Sequence, residues 1–156
     1  MFGSVYYTTY VDMWSSGCVF GQILLGKPLF AASCNVDQLV EVIKVLGTPT
    51  KEQIKEMNPR YLSYDFPVLE QTPLSSMFSA GTPNEAIDLL SNLLVYKPLS
   101  RLHPFKACAY PYFNKLQEKG TVMPNWSPLP PIFNFTDSEK ALLERLNVNL
   151  TPANFV

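Results

Sequence analysis

The sequence is poor in the residues that build metal sites, membrane spans and nucleic-acid clamps. His103 is the only histidine, and the three cysteines, Cys18, Cys34 and Cys108, are widely spaced with no C-x-x-C pair. A structural zinc site needs four close ligands, so no metal is expected here. Free, reduced thiols are expected instead, and with them a cytoplasmic and/or nuclear location. Charged residues make up only 16% of the chain and the net charge is −1, which gives no footing for nucleic acid or an anionic membrane surface. The longest apolar run, residues 18–25, is interrupted by Gln22 and is too short to span a bilayer. The first basic residue, Lys27, follows that run, against the order of a signal peptide. Disorder is excluded as well, because hydrophobic residues reach 47%. A chain of 156 residues can bury roughly 68–70% of its unfolded surface, enough for a true core.

Helical punctuation dominates what is present. Thr9-x-x-Asp12 reads as a capping pattern for a helix running to about Leu25, closed by Gly26 and Pro28. Its second half is apolar nearly all round, which predicts burial in the middle of the fold. Trp14 and Cys18 are expected in the core, and Cys18 and Cys108 as buried, inert thiols. A second helix is predicted after Asn35, with Gln38 as its third residue, ending at Gly47-Thr48-Pro49. At 100° per residue, Val36, Leu39, Val40 and Ile43 form one apolar stripe and Val42, Val45 and Leu46 an adjoining one. Together they cover roughly 220°, beyond the ~100° that a surface helix needs for its own core. This helix should therefore meet apolar surface on two sides, the second being a later segment of the chain or a partner.

Residues 50–57 predict a short helix, followed by an irregular aromatic stretch over 58–73. Thr82-Pro83-Asn84-Glu85 is a helix start with Thr at the cap, and Ala86, Leu89, Leu90, Leu93 and Leu94 make one face. Short helical pieces are expected at 104–109 and 112–116, with His103 as a helix-start residue. Residues 123–135 hold four prolines and predict a loop draped over the body. Thr136-x-x-Glu139 caps a last helix of about ten residues. No pair of alternating apolar strands is visible, so the fold class is mainly α.

Two elements then carry a resemblance. Asp12-Met13-Trp14-Ser15-Ser16-Gly17 resembles the D-x-W-S-x-G element that opens the central helix of the C-terminal lobe of protein kinases. Arg101, after Lys97-Pro98-Leu99-Ser100, resembles the arginine of the last kinase subdomain. Asp12, Trp14, Gly17 and Arg101 are thus the structural kinase-motif residues. Residues 36–39 through 46–49 resemble the insert of the cyclin-dependent, MAP, glycogen-synthase and CDC-like kinase group. Residues 50–59, with Tyr61, Phe66 and Pro67, and Phe133-Asn134-Phe135-Thr136 near the end, are similar to glycogen synthase kinase 3. Leu74 stands where that family usually carries tryptophan, and residues 31–34 depart from its more polar turn.

The resemblance implies the truncated large lobe of the protein-kinase fold over residues 1–118, without the N-terminal β lobe and with an insert at about 47–73. Residues 119–156 would be an extension packing on the lobe. Phosphoryl transfer needs a glycine-rich loop, a strand lysine, a catalytic-loop aspartate and asparagine, and the D-F-G aspartate that holds magnesium. The chain has no G-x-G-x-x-G, V-A-I-K or H-R-D. Asp65-Phe66-Pro67 has proline for the glycine of D-F-G and follows the D-x-W-S-x-G element instead of preceding it. Ser15 and Ser16 lack a nearby base, against a hydrolase. The intact family uses ATP and magnesium; this chain is expected to have no catalytic, cofactor or metal residue and to be inactive alone.

The resemblance further implies a groove in which scaffold proteins lay an amphipathic helix. Carried across, its residues are Val36, Leu39, Val40 and Ile43 of the helix and Tyr61, Tyr64, Phe66 and Leu69 of the loop after it. All are apolar or aromatic, as helix docking requires. Two alternatives stay open: part of an active Ser/Thr kinase whose N-terminal half is not in this sequence, or a structural remnant with no partner. The family also pairs the residues matching Arg101 and Asp12 with groups absent here. That predicts a marginal, aggregation-prone chain, since breaking a buried ion pair costs ~3–5 kcal/mol.

Overall fold

A computed structural model describes residues 7–62 and 66–150, with Tyr61 described by its backbone alone. The described residues are helical and contain no strand, only one isolated bridge between Val122 and Pro128. The chain divides into two compact units, Met1–Leu102 and His103–Val156, so a boundary at 118/119 falls inside the second unit.

The first unit is built on α1 (Tyr10–Leu25), α2 (Asn35–Leu46), α3 (Lys51–Met57) and α4 (Asn84–Leu93). Single 3-10 turns at Pro59–Tyr61, Leu74–Met77 and Pro98–Ser100 fill the connections. Helix α1 packs on α4, and Gly17 sets how close they come. A Cβ at Gly17 would lie 2.9 Å from Leu94 Cδ2 and 3.0 Å from Leu93 Cβ, so any side chain there would force the helices apart. The core gathers Leu29, Phe30, Val42, Val45, Leu74, Phe78, Leu90, Leu94 and Tyr96. Leu74 is buried in it, so the leucine found in place of the family's tryptophan still contributes to the packing. The apolar face of α4 behaves as its spacing predicts, with Ala86, Leu89, Leu90, Leu93 and Leu94 all buried.

Three expectations need correction in this unit. Thr9 precedes α1 in helical backbone geometry and its hydroxyl makes no cap, because the chain is already turning before Tyr10. Thr82 does not cap α4 either; its hydroxyl lies 3.2 Å from that of Ser79, inside the preceding turn, and Pro83 is the flanking residue. Third, α1 is not buried all round. Met13, Gly17 and Gly21 are buried, yet Val19 is exposed and Ile23 is 72% exposed. The side facing α4 is closed and the other is bare.

The second unit holds α5 (Pro104–Cys108), a 3-10 stretch at Pro111–Gln117 and α6 (Asp137–Arg145). His103 begins α5, and its Nδ1 accepts from the Phe105 amide at 3.3 Å. Phe105 meets Phe135 edge-on, with centroids 5.8 Å apart. Cys108 is exposed, contrary to its expected burial, although its thiol is covered enough for burial to raise its pKa. In the loop over 123–135, Pro124, Pro128, Pro130 and Pro131 face solvent while Leu129, Phe133 and Phe135 are half-buried.

Helix α6 has a full reciprocal capping box. Thr136 Oγ1 accepts from the Glu139 amide at 3.3 Å, and the Glu139 carboxylate accepts from the Thr136 amide at 2.7 Å. The bonds that the carboxylate accepts from the Thr136 amide and from the Thr136 hydroxyl hold the Glu139 carboxyl below its ordinary value of 4.5, the backbone bond contributing most. A depressed folded value means that the cap supports the helix above about pH 4.5 and loses this support as pH falls through the folded value. Amide exchange in the first turn of α6 should therefore accelerate on acidification. Glu139→Gln, which keeps an acceptor at every pH, should remove most of that dependence; an unchanged pH profile in the variant would contradict the assignment.

Candidate docking site

The candidate site lies on α2 and the segment that returns along it. Helix α2 starts from Cys34, whose extended backbone and Sγ, 3.5 Å from the Asp37 amide, form a weak cap. Gln38 reaches back to the Phe30 carbonyl at 3.4 Å. At the other end Gly47 has a φ of +77°, a left-handed value that favours glycine. A Cβ there would also sit 3.0 Å from the Gln71 nitrogen and 3.3 Å from the Leu69 carbonyl oxygen. Gly47 thus lets the later chain pass directly against the end of α2.

Hydrogen bonds fix that passage. The Thr48 amide donates to the Leu69 carbonyl at 3.0 Å, and the Leu69 amide to Thr48 Oγ1 at 2.8 Å. Thr48 Oγ1 donates in turn to the Pro67 carbonyl, and Thr72 Oγ1 to the Lys44 carbonyl at 2.8 Å. Beneath them the Tyr96 hydroxyl donates to the Gly47 carbonyl at 2.7 Å from a buried position that raises its pKa. Residues 67–72 are thereby latched along the C-terminal end of α2.

This latch sorts the anticipated groove residues. Val36 is 69% exposed and Val40 is also exposed, one turn apart on the N-terminal half of α2. Leu39 and Phe66 are half-buried and each packs against the core. Leu69 is exposed on the returning segment, beside the even barer Val68. Ile43 is only 2% exposed, so it is a core residue and unavailable to a partner, although it lies on the same stripe. It sits at the end where the returning segment is latched, while Val36 and Val40 lie before it. The side chain of Tyr61 and all of Tyr64 lie outside the described residues. The rim is acidic: Asp37 and Glu70 are exposed, and Glu41 pairs with Lys44 at 2.7 Å. Sequence reasoning missed Val68 and the two threonine latches. Only Thr48 carried a signal, by following the helix-ending Gly47; Thr72 meets Lys44 from 28 positions away.

The four kinase-motif residues occupy a second locus in the same unit. Arg101 holds a cluster of carbonyls: Nε donates to Val95 at 2.9 Å, Nη1 to Tyr10 at 2.7 Å and Nη2 to Tyr96 at 3.3 Å. Its guanidinium lies 5.1 Å over the Trp14 ring, which stacks on Phe30 at 6.1 Å. Partial burial lowers the Arg101 pKa and raises that of Cys18, each moderated by the nearness of the other. Among the described residues no carboxylate pairs with Arg101. Its charge is nevertheless not stranded, because backbone oxygens and an aromatic face take the place of the missing acid. A cavity of about 630 Å³ opens beside it, walled by Val11, Trp14, Met57 and Leu99. Asp12 is exposed, and Gly17 serves the helix contact described above. The family model described as the protein kinase domain matches residues 1–113.

Proposed function

We propose, from the premise that this chain belongs to the protein kinase domain family, that it is the C-terminal lobe of a glycogen synthase kinase 3-like Ser/Thr kinase, silent as a phosphotransferase alone and serving as a docking platform for a scaffold-protein helix. The observation that carries the reading is the bare apolar pair Val36 and Val40 on the N-terminal half of α2, whose C-terminal end is covered by a latched returning segment. An uncovered apolar pair on a helix is the kind of surface that an i, i+3, i+4, i+7 helix face can cover, which supports the docking reading. The acidic rim favours a helix whose polar flank is basic.

What phosphoryl transfer requires supports the reading of silence for these residues alone. Transfer from ATP is positioning plus charge stabilisation, and the glycine-rich loop, paired lysine and catalytic-loop aspartate are not among these residues. ATP and magnesium belong, on this reading, to the intact family, and the working compartment is the cytoplasm and/or nucleus. The reading is tested by titrating the full chain into a fluorescent amphipathic helical peptide with a leucine stripe and lysine flanks. Saturable binding that an acidic-flanked version of the peptide lacks supports it. Failure of both peptides to bind removes the docking role.

A further inference from the structure

The loop after residue 121 has a feature that helix docking does not use. Residues 120–136 contain no charged side chain, and Ser127-Pro128-Leu129-Pro130-Pro131 is half or more proline. Three consecutive constraints act on it. Ser127, Leu129 and Pro130 each precede a proline, which drives them out of helical geometry towards extended or polyproline II backbone, while each proline fixes its own φ. Polyproline II has three residues per turn, so such a run over 128–130 brings Pro128 and Pro131 to one ridge, ending where the Ile132 amide donates to the Pro130 carbonyl at 2.8 Å and turns the chain at Pro131. Both are exposed, and Leu129 between them is half-buried. The segment therefore shows its prolines outward and ties itself down through the leucine.

Both ends of the segment are held. Upstream, the Met123 amide donates to the Ser127 carbonyl at 2.8 Å and the Trp126 amide to the Met123 carbonyl at 2.8 Å, closing a tight turn. Asn125 Oδ1 accepts from both the amide and the hydroxyl of Ser127, at 3.1 and 2.7 Å. Downstream, Phe135 is fixed edge-on against Phe105. The turn places Trp126 at a φ of +65°, a left-handed value uncommon for a bulky residue, with the ring 85% exposed. The chain thus holds an indole in solvent, on unfavourable backbone, two residues ahead of the exposed prolines.

We infer that residues 126–131 are a preorganised ligand for the aromatic-lined groove of a proline-recognition domain of the WW class. A ready-made polyproline II ridge loses little entropy on docking, which is how such grooves gain affinity. The absence of charge decides between the groove types. SH3 grooves add an acidic pocket that reads a flanking arginine or lysine, and residues 120–136 offer none. A WW groove needs only the proline ridge and apolar neighbours, which Trp126 and the exposed Ile132 supply.

The test uses the full chain with three purified probes: a WW domain that reads proline–leucine runs, a WW domain that reads P-P-x-Y, and an SH3 domain. Isothermal titration should show saturable binding to the first WW domain. Pro128→Ala combined with Pro131→Ala should weaken it tenfold or more with far-UV circular dichroism unchanged, because both rings are in solvent. Trp126→Gly, which suits the left-handed backbone, should weaken binding less than the proline pair and leave the melting temperature equal or higher. Three results each overturn the inference: no binding to either WW domain, binding indifferent to the proline pair, or binding to the SH3 domain as tight as to the WW domain.

Discussion

Replacing Arg101 by alanine should lower the unfolding free energy of the chain by about 3–5 kcal/mol, a large part of the ~5–15 kcal/mol that holds a domain together. Three carbonyls, from Tyr10, Val95 and Tyr96, would lose their common donor, and Trp14 would lose the cation on its face. A hydrogen bond to a charged group contributes ~1.5–3 kcal/mol, so a simple sum would be larger. Arg101 is only partly buried, however, so water can replace part of what is lost. Arg101→Lys should recover little, because one ammonium cannot reproduce a planar fork that reaches three acceptors. Urea midpoints of the two variants decide the matter. A lysine variant as stable as the original chain would show that charge, not fork geometry, is what this position supplies.

The same site alters the expectation of a marginal chain. By residue type alone Arg101 is an uncompensated charge; the fold gives it carbonyls and an indole instead. The exposed ridge of Val19 and Ile23 on α1 remains, and bare apolar surface of this kind promotes self-association.

The second large effect concerns α2. Val36→Glu combined with Val40→Glu should reduce binding of a basic-flanked amphipathic helix by at least thirtyfold, about 2 kcal/mol, since each change sets a carboxylate in the desolvated centre of the contact. Both side chains are exposed, so the fold should be undisturbed, which separates this pair from Leu39→Glu. Leu39 leans on the core, and its loss would mix binding with stability. Ile43→Glu should unfold the first unit instead of blocking a partner, as that side chain is buried. Fluorescence anisotropy with circular dichroism as a folding control reads all three. Undiminished binding by the Val36/Val40 pair would place the partner elsewhere.

How far the sequence reached depended on the range of the interaction. The capping box of α6 is three residues long and was legible outright from Thr136 and Glu139. The α4 face followed from period alone, and Gly26 ended α1 as its neighbours required, with a φ of +71°. The caps at Thr9 and Thr82 were read from residue type, but in each case the local turn had another use for the chain. The over-wide apolar arc of α2 called for a second contact, and the fold covers it only at the Ile43 end, leaving Val36 and Val40 exposed. It could not say which half of the stripe the chain itself would cover, because the latch joins Thr72 to Lys44 and Leu69 to Thr48 across more than twenty positions. The Arg101 cluster was still less accessible, since Tyr10 is 91 positions away. Family resemblance named the arginine; only the fold shows what it holds.

The central proposal is that these residues bind an amphipathic helix and, on their own, transfer no phosphate. It is tested most directly by incubating the purified full chain with γ-labelled ATP, magnesium and a Ser/Thr peptide, beside a parallel helix-binding titration on the same preparation. The account predicts no label above a mock purification, together with saturable binding of the basic-flanked helix. Incorporation that scales with the chain and survives removal of contaminating kinases would contradict it.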